Sequence, residues 1–249
     1  MRDDGGGPLA LIGAALFNVF FYVWTFVLSA LALPAYPFLS DRGMRVVARL
    51  WAGVMLAALR ILTGVRHEVR GRPPEAPAII AAKHQSAWET LAFFTLVRDL
   101  AVGLKYELTR VPVFGWYLMR AGSIRIDRGG AARALRSLVE GGRAAAARGC
   151  SVLIFPEGTR RAPDAPPDYK PGVAALYAAL KLPVVPVALN SGLFWGRRSF
   201  RKRPGRIVVE FLEPIPPGLD RRTFMAELER RIEDATARLV AEGRAATAP

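Results

Sequence analysis

Two short stretches of this sequence carry side chains whose types and spacing could do chemistry. In AAKHQSAWET, residues 81–90, His84 is one of only two histidines in the chain, and Glu89 follows it by five positions. A neutral imidazole is the side chain best matched to taking a proton near pH 7, and a neighbouring carboxylate can orient the ring and stabilise the imidazolium. The spacing constrains the pair. Inside one helix the two side chains would point roughly 140° apart, so they meet only if His84 lies in the turn before the helix and folds back over its first turn. Ser86 with Glu89 also reads as S-x-x-E, a capping box that needs no catalysis. On sequence alone both readings stand.

The second stretch is CSVLIFPEGTR, residues 150–160, in which an apolar run ends in Glu157, Gly158, Thr159 and Arg160. A guanidinium matches phosphate oxygens bidentately, which suits an anionic substrate; the competing reading is a solvated charge at a strand end. Between the two stretches lies KYELTRVPVFGWYLMRAGSIRIDR, with Lys105 and Arg128 as further cationic candidates. The other histidine, His67, reads as a solvated residue of a short strand. Cys150 is the single cysteine, which excludes an internal disulfide and Cys-based zinc clusters and fits a reducing compartment.

These stretches need elements to hold them. The continuous apolar runs APAIIAA, CSVLIF, PVVPVAL and RIVVEFL read as buried strands, and HEVRG, LAVGLKYEL and GSIRIDR as shorter ones. Helical spacing occupies AWETLAFFTLV, residues 131–148, GVAALYAALK and the C-terminal stretch from Arg221, where Phe224, Leu228, Ile232, Ala235 and Leu239 form one stripe. Apolar strands alternating with helices predict an α/β fold with a mainly parallel central sheet flanked by helices. In such sheets sites gather at the carboxyl ends of strands, where both His84 and Arg160 fall. The Pro-rich RAPDAPPDYKPG must be a loop.

The N-terminus is of another kind. Pro8 to Leu33 carries no charge and a single strongly polar amide, Asn18, and exceeds the roughly 20 residues needed to cross hydrocarbon as a helix. Its acidic start, MRDDGGG, argues against a cleaved signal peptide. In residues 44–63, Arg45, Arg49 and Arg60 fall within about a 60° wedge opposite Val47, Leu50, Trp51, Val54, Met55, Ala58, Ile61 and Leu62, although Leu56 interrupts the basic side. That helix either lies among lipid headgroups or packs its apolar stripe on the globular part. The expected organisation is a membrane-anchoring helix pair in residues 1–63 and an α/β domain in residues 64–249. Arg42, Arg45 and Arg49, following the apolar run, put the bulk of the chain on the cytoplasmic side. The chain is 52% hydrophobic with a net charge of +14, which points to an anionic membrane surface or anionic substrates rather than to nucleic acid. FWGRRSFRKRPGR, 194–206, interleaves aromatics with cations, as either a solvated loop or a membrane contact.

Taken together, HQSAWE, KYELTRVPVFGWYLMRAGSIRIDR, FPEGTR and LPVVPVALN resemble the four ordered blocks of the glycerolipid acyltransferases, specifically the bacterial 1-acylglycerol-3-phosphate acyltransferases, over residues 65–215. One departure is that Glu89 stands where the family's first block usually has Asp, so the carboxylate is a methylene further out. The resemblance implies that His84 is the general base and Glu89 its orienting carboxylate. It implies that Arg160, helped by Lys105 and Arg128, holds the acceptor phosphate in a pocket shaped by Glu157, Gly158 and the adjacent Thr159, with Pro186 and Asn190 as structural support. The implied reaction moves an acyl group from acyl-CoA or acyl carrier protein to the sn-2 hydroxyl of lysophosphatidic acid at the cytoplasmic face of a bacterial inner membrane, giving phosphatidic acid. No cofactor or metal is expected. A lyso-ornithine lipid is the alternative acceptor. The chemistry is self-consistent, since a thiolate with a pKa near about 8.5 leaves readily, and the absence of G-x-S-x-G disfavours a serine hydrolase.

Overall fold

The uncharged N-terminal run folds as one helix, α1 (Pro8–Ala32), begun by a proline at a position whose N–H has no intrahelical partner. Ser40 then caps α2 (Asp41–Thr63) by accepting the Gly43 N–H at 3.1 Å. In this computed structural model, which describes residues 7–126 and 129–246, the two helices cross closely. A Cβ on Gly13 would stand 2.1 Å from the Leu62 carbonyl oxygen, so only glycine permits the crossing. Both helices are long and apolar enough to cross a membrane. Of the two placements the sequence left open for α2, packing on the globular part is seen for most of the stripe, whereas Leu50 and Ile61 of that stripe stay exposed. Met55 and Leu59 are buried in the core, and so is Leu56, the residue that interrupts the basic side. Arg45 pairs with Asp99 at 2.9 Å and Arg49 donates to the Thr95 carbonyl at 2.9 Å, so these two cations are tied to the protein.

The α/β part follows in the order β1 (Val65–Arg70), β2 (Ile79–Ala82), α3 (Trp88–Leu96), β3 (Leu100–Lys105), α4 (Phe114–Arg120), β4 (Ile124–Ile126), α5 (Ala131–Ala147), β5 (Ser151–Ile154), α6 (Gly172–Leu180), β6 (Val184–Leu189), β7 (Gly205–Phe211) and α7 (Arg221–Ala245). Each expected strand and helix is present. The helix α4 was not anticipated, because its seven residues are too few for a helical period to show.

The seven strands form one sheet in the order β1-β7-β6-β2-β5-β3-β4. Every pairing is parallel except β6 with β7, so the sheet is mainly parallel, as the continuous apolar runs required. The central strand shows why it reads as unbroken apolar sequence: Ile80 and Ala82 join the core on the side of α2 and α3, while Ile79 and Ala81 join the core beneath α5, α6 and α7. Register brings Ala81 opposite both Ile154 and Pro186. The carboxyl ends of β5, β2 and β6 therefore lie side by side, and three loops leave from that edge.

Candidate active site

The loop after β2 carries Lys83 and His84, the loop after β5 carries Phe155 to Arg160, and the turn after β6 carries Asn190 and Ser191. His84 lies in the turn before α3, as the spacing demanded. Its Nδ1 is 3.0 Å from Glu89 Oε2, in the first turn of that helix. A carboxylate only accepts, so Nδ1 carries the hydrogen and the Nε2 lone pair is left for a substrate. The ring stacks on Phe155 with centroids 3.8 Å apart and planes at 15°, which fixes its plane as the carboxylate fixes its rotation.

Glu89 is completely buried and heavily used. The Ser86 backbone N–H donates to both of its oxygens, at 3.0 and 2.9 Å, while Ser86 Oγ accepts the Trp88 N–H at 3.1 Å. The Ser191 hydroxyl donates to Glu89 Oε1. The contact to the Ser86 N–H and the orientation of the histidine thus share one carboxylate, with Oε2 serving both.

Behind the histidine is a buried ionic cluster. Lys83, with no solvent exposure, sits 2.9 Å from Glu157 Oε1 and donates to Glu233 of α7 at 2.7 and 2.9 Å. Glu157 Oε2 accepts the His84 backbone N–H at 3.1 Å, and Glu233 also accepts the Tyr169 hydroxyl at 2.9 Å. Burial, with Glu233 beside it, pushes the Tyr169 phenol far above its usual range, so it stays a donor. The chain Glu233–Lys83–Glu157–His84 holds the histidine backbone from the rear. Asn190 supports the same edge by accepting the Val208 N–H at 2.8 Å and donating to the Leu239 carbonyl at 3.1 Å.

Arg160 is on the opposite, open side. Gly158 (φ +65°) turns the chain in the left-handed region that favours glycine, Thr159 is exposed, and Arg160 lines a cleft of about 470 Å³ beside Ala87 and Arg198. Its guanidinium forms no ion pair among the described residues; Arg197 instead donates to its carbonyl at 3.1 Å. Burial draws Arg160 below its ordinary pKa, Glu89 works against that shift and Arg197 adds to it. The backbone of Lys105 ends β3, two strands from β2 on the same edge; its side chain and all of Arg128 lie outside the described residues.

The structure therefore brings His84, Glu89, Glu157, Gly158, Thr159 and Arg160 to one edge, with Glu157 engaged inward. It adds Ser191, Lys83, Phe155, Glu233 and Tyr169. Of these, only Lys83 had a visible signal, a charge directly after a continuous buried strand. His67 has an exposed surface on β1, but its ring lies 5.6 Å from that of Trp88 in the first turn of α3, and burial, with Arg60 near it, lowers its pKa, so it is not the freely solvated residue the sequence suggested; Cys150 is buried, as expected.

With that geometry in hand, the comparisons with known proteins agree on one family. The profile of the Acyltransferase family matches residues 65–190. A 1-acyl-sn-glycerol-3-phosphate acyltransferase of Pseudomonas aeruginosa is 36% identical over 223 residues, covering 89% of this chain and 86% of that protein. The 1-acyl-sn-glycerol-3-phosphate acyltransferase alpha of Bos taurus is 30% identical over 202 residues, 79% of this chain and 69% of its own length. In fold, the chain resembles the crystal structure of a 1-acyl-sn-glycerophosphate acyltransferase from Thermotoga maritima, with a TM-score of 0.73 over 90% of this chain and 95% of that one at 21% identity.

Proposed function

The chain belongs to the acyltransferase family, and on that premise we propose that it transfers a fatty acyl group from acyl-CoA or acyl carrier protein to the sn-2 hydroxyl of 1-acyl-sn-glycerol-3-phosphate, forming phosphatidic acid. The observation that carries this reading is the His84–Glu89 pair, 3.0 Å apart at the carboxyl edge of β2 and near Arg160, whose guanidinium has no ion-pair partner among the described residues. His84 Nε2 takes the proton of the acceptor hydroxyl as its oxygen attacks the thioester carbonyl. The tetrahedral intermediate collapses, the C–S bond breaks, and the departing thiolate takes the proton back from the imidazolium. Glu89 holds the ring in the productive tautomer and opposes its transient charge.

Arg160 meets the acceptor phosphate, with Lys105 and Arg128 as its helpers, while Gly158 and Thr159 shape the approach and Glu157 steadies the His84 backbone. A guanidinium without an ion-pair partner among the described residues favours an acceptor with a phosphate monoester over a lyso-ornithine lipid, which has none. Residues 1–63 serve as the membrane-anchoring unit of a catalytic domain at 64–249, on the cytoplasmic face of a bacterial inner membrane. Support comes from the outer side of α1, where Leu9, Tyr22, Phe26 and Leu31 are each at least 70% exposed, and from the basic residues that follow it.

The test offers the purified protein a panel of single-chain acceptors with and without a phosphate monoester, together with each thioester donor. Transfer to lysophosphatidic acid is the expected result. Equal use of acceptors that lack the phosphate would overturn the acceptor assignment, and no transfer to any hydroxyl would overturn the reaction.

A further inference from the structure

A helix that serves only as an anchor gains nothing from an amide, yet α1 carries one, and it faces the protein. Asn18 Oδ1 accepts from Lys202 Nζ at 3.0 Å. Lys202 belongs to the loop between β6 and β7 and is only 2% exposed. Its Nζ also donates to the Phe200 carbonyl at 3.0 Å and lies 4.8 Å from the ring centre of Trp195, 5.2 Å from Phe17 and 5.6 Å from Phe200. No carboxylate pairs with it among the described residues. A buried, uncompensated ammonium held by neutral oxygens and ring faces is costly, so its geometry calls for a reason.

The reason lies beside it. The cleft that holds Arg160 has α1 as one wall, through Asn18 and Tyr22, and the 195–200 loop as the other, through Trp195, Arg198 and Phe200; Ala87 joins it to the His84 turn. Asn18, Trp195 and Phe200 thus belong both to the Lys202 cage and to the cleft lining. Arg198 holds a φ of +56°, a conformation unfavourable for a non-glycine residue, at the point where its side chain lines the cleft. At the rim, Tyr22 is 74% exposed and Phe200 52%, and this apolar edge continues into the outward face of α1. A volume of about 470 Å³ falls within the about 300–1,000 Å³ of small-ligand clefts. The cleft is cationic within and apolar at the lip.

We propose that α1 is a wall of the acceptor cleft as well as an anchor. Asn18 and Lys202 are the positioning pair that holds this wall, and a single-chain amphiphile with a phosphate monoester enters with its head toward Arg160 and Arg198 and its chain along α1. This rests on the acyl-transfer reading above.

The experiment uses the full chain in vesicles of phosphatidylcholine and phosphatidylglycerol. Asn18→Leu makes α1 more apolar, so a pure anchor would co-sediment at least as well and keep its kinetics. The wall predicts unchanged co-sedimentation, a KM for lysophosphatidic acid raised roughly tenfold and a donor KM within about twofold of wild type. Asn18→Asp, which gives Lys202 a carboxylate, should keep the acceptor KM near the wild-type value. In equilibrium binding the loss should be larger for lysophosphatidic acid than for glycerol 3-phosphate, which has the head without the chain. An equal loss for both, or none for either, overturns the wall. Should Asn18→Leu fail to fold by circular dichroism, Lys202→Met carries the same comparison. Wild-type turnover is the internal control: an inactive wild type indicts the acyl-transfer reading, whereas an active wild type with an unaltered Asn18→Leu indicts the wall alone.

Discussion

Two groups of cations flank the carboxyl edge of the sheet, and they are treated in opposite ways. Behind His84, Lys83 is fully buried and shared between Glu157 and Glu233. In front, Arg160 and Arg198 line a cleft with no carboxylate paired to either of them among the described residues, while Lys202 lies buried behind its wall. Compensated charge in a dry interior fixes geometry, because separating its members exposes each to a large desolvation penalty. Uncompensated charge at a solvent-reached cleft stores attraction for whatever anion arrives. The same chemical type of side chain is compensated scaffold on one side of the histidine and, in the proposed function, receptor on the other.

The sharpest way to break this contrast is at the junction. His84→Ala should lower kcat by about 10²–10⁴-fold while far-UV circular dichroism stays unchanged, and Glu89→Gln should be nearly as damaging, because an amide cannot oppose the imidazolium charge. A folded Glu89→Gln protein with full turnover would reduce that residue to a helix cap. Next in size is the rear cluster. Lys83→Met leaves two carboxylates facing each other without their cation and should cost about 3–5 kcal/mol of stability in chemical denaturation. A loss below about 1 kcal/mol would mean that the cluster is not the compensated scaffold described here.

Smaller effects sharpen the picture. Ser191→Ala removes one donor from the Glu89 carboxylate and should lower kcat roughly tenfold with both KM values held; a changed acceptor KM with normal kcat would place Ser191 in the cleft instead. The smallest effect concerns Lys202, whose pKa burial lowers to about 8 from 10.5. Between these values the unfolded chain keeps a proton that the folded chain has released, so this residue's contribution to stability is lost as pH falls through about 8 and recovered toward about 10.5. Lys202→Met should therefore gain in Tm over wild type at pH 7, by on the order of 2–4 °C per kcal/mol relieved, and lose that advantage by pH 10. A pH-independent difference would deny the buried charge.

What was legible in the sequence follows from range. The strand β2 announced itself through an unbroken apolar run, and the His84 turn through a five-residue spacing that only a turn could reconcile. Both are local facts. Ser191 reaches Glu89 across 102 positions and Lys202 reaches Asn18 across 184, and nothing in either segment names its partner; only the strand order brings them together. Asn18 was visible as the one amide in an uncharged run, but not which way it pointed. The 194–206 stretch was left between a solvated loop and a membrane contact, whereas its Phe194, Trp195 and Lys202 are buried, because the aromatic residues close over a lysine stem that can lie along apolar surface. Arg45 and Arg49 of α2 looked free for lipid because Asp99 and the Thr95 carbonyl, their partners, lie 54 and 46 positions away.

The link from Lys83 to Glu233 spans 150 positions, and it has a consequence in time. A chain emerges from the ribosome amino end first, at about 5–20 residues per second. The first helix is therefore free to find lipid many seconds before the last one exists, and the backing of the histidine is absent until the last one docks. Under the proposed anchoring role of α1, delivery to the bilayer precedes completion of the fold, so an unfinished or truncated chain would reach its destination without the assembled edge around His84.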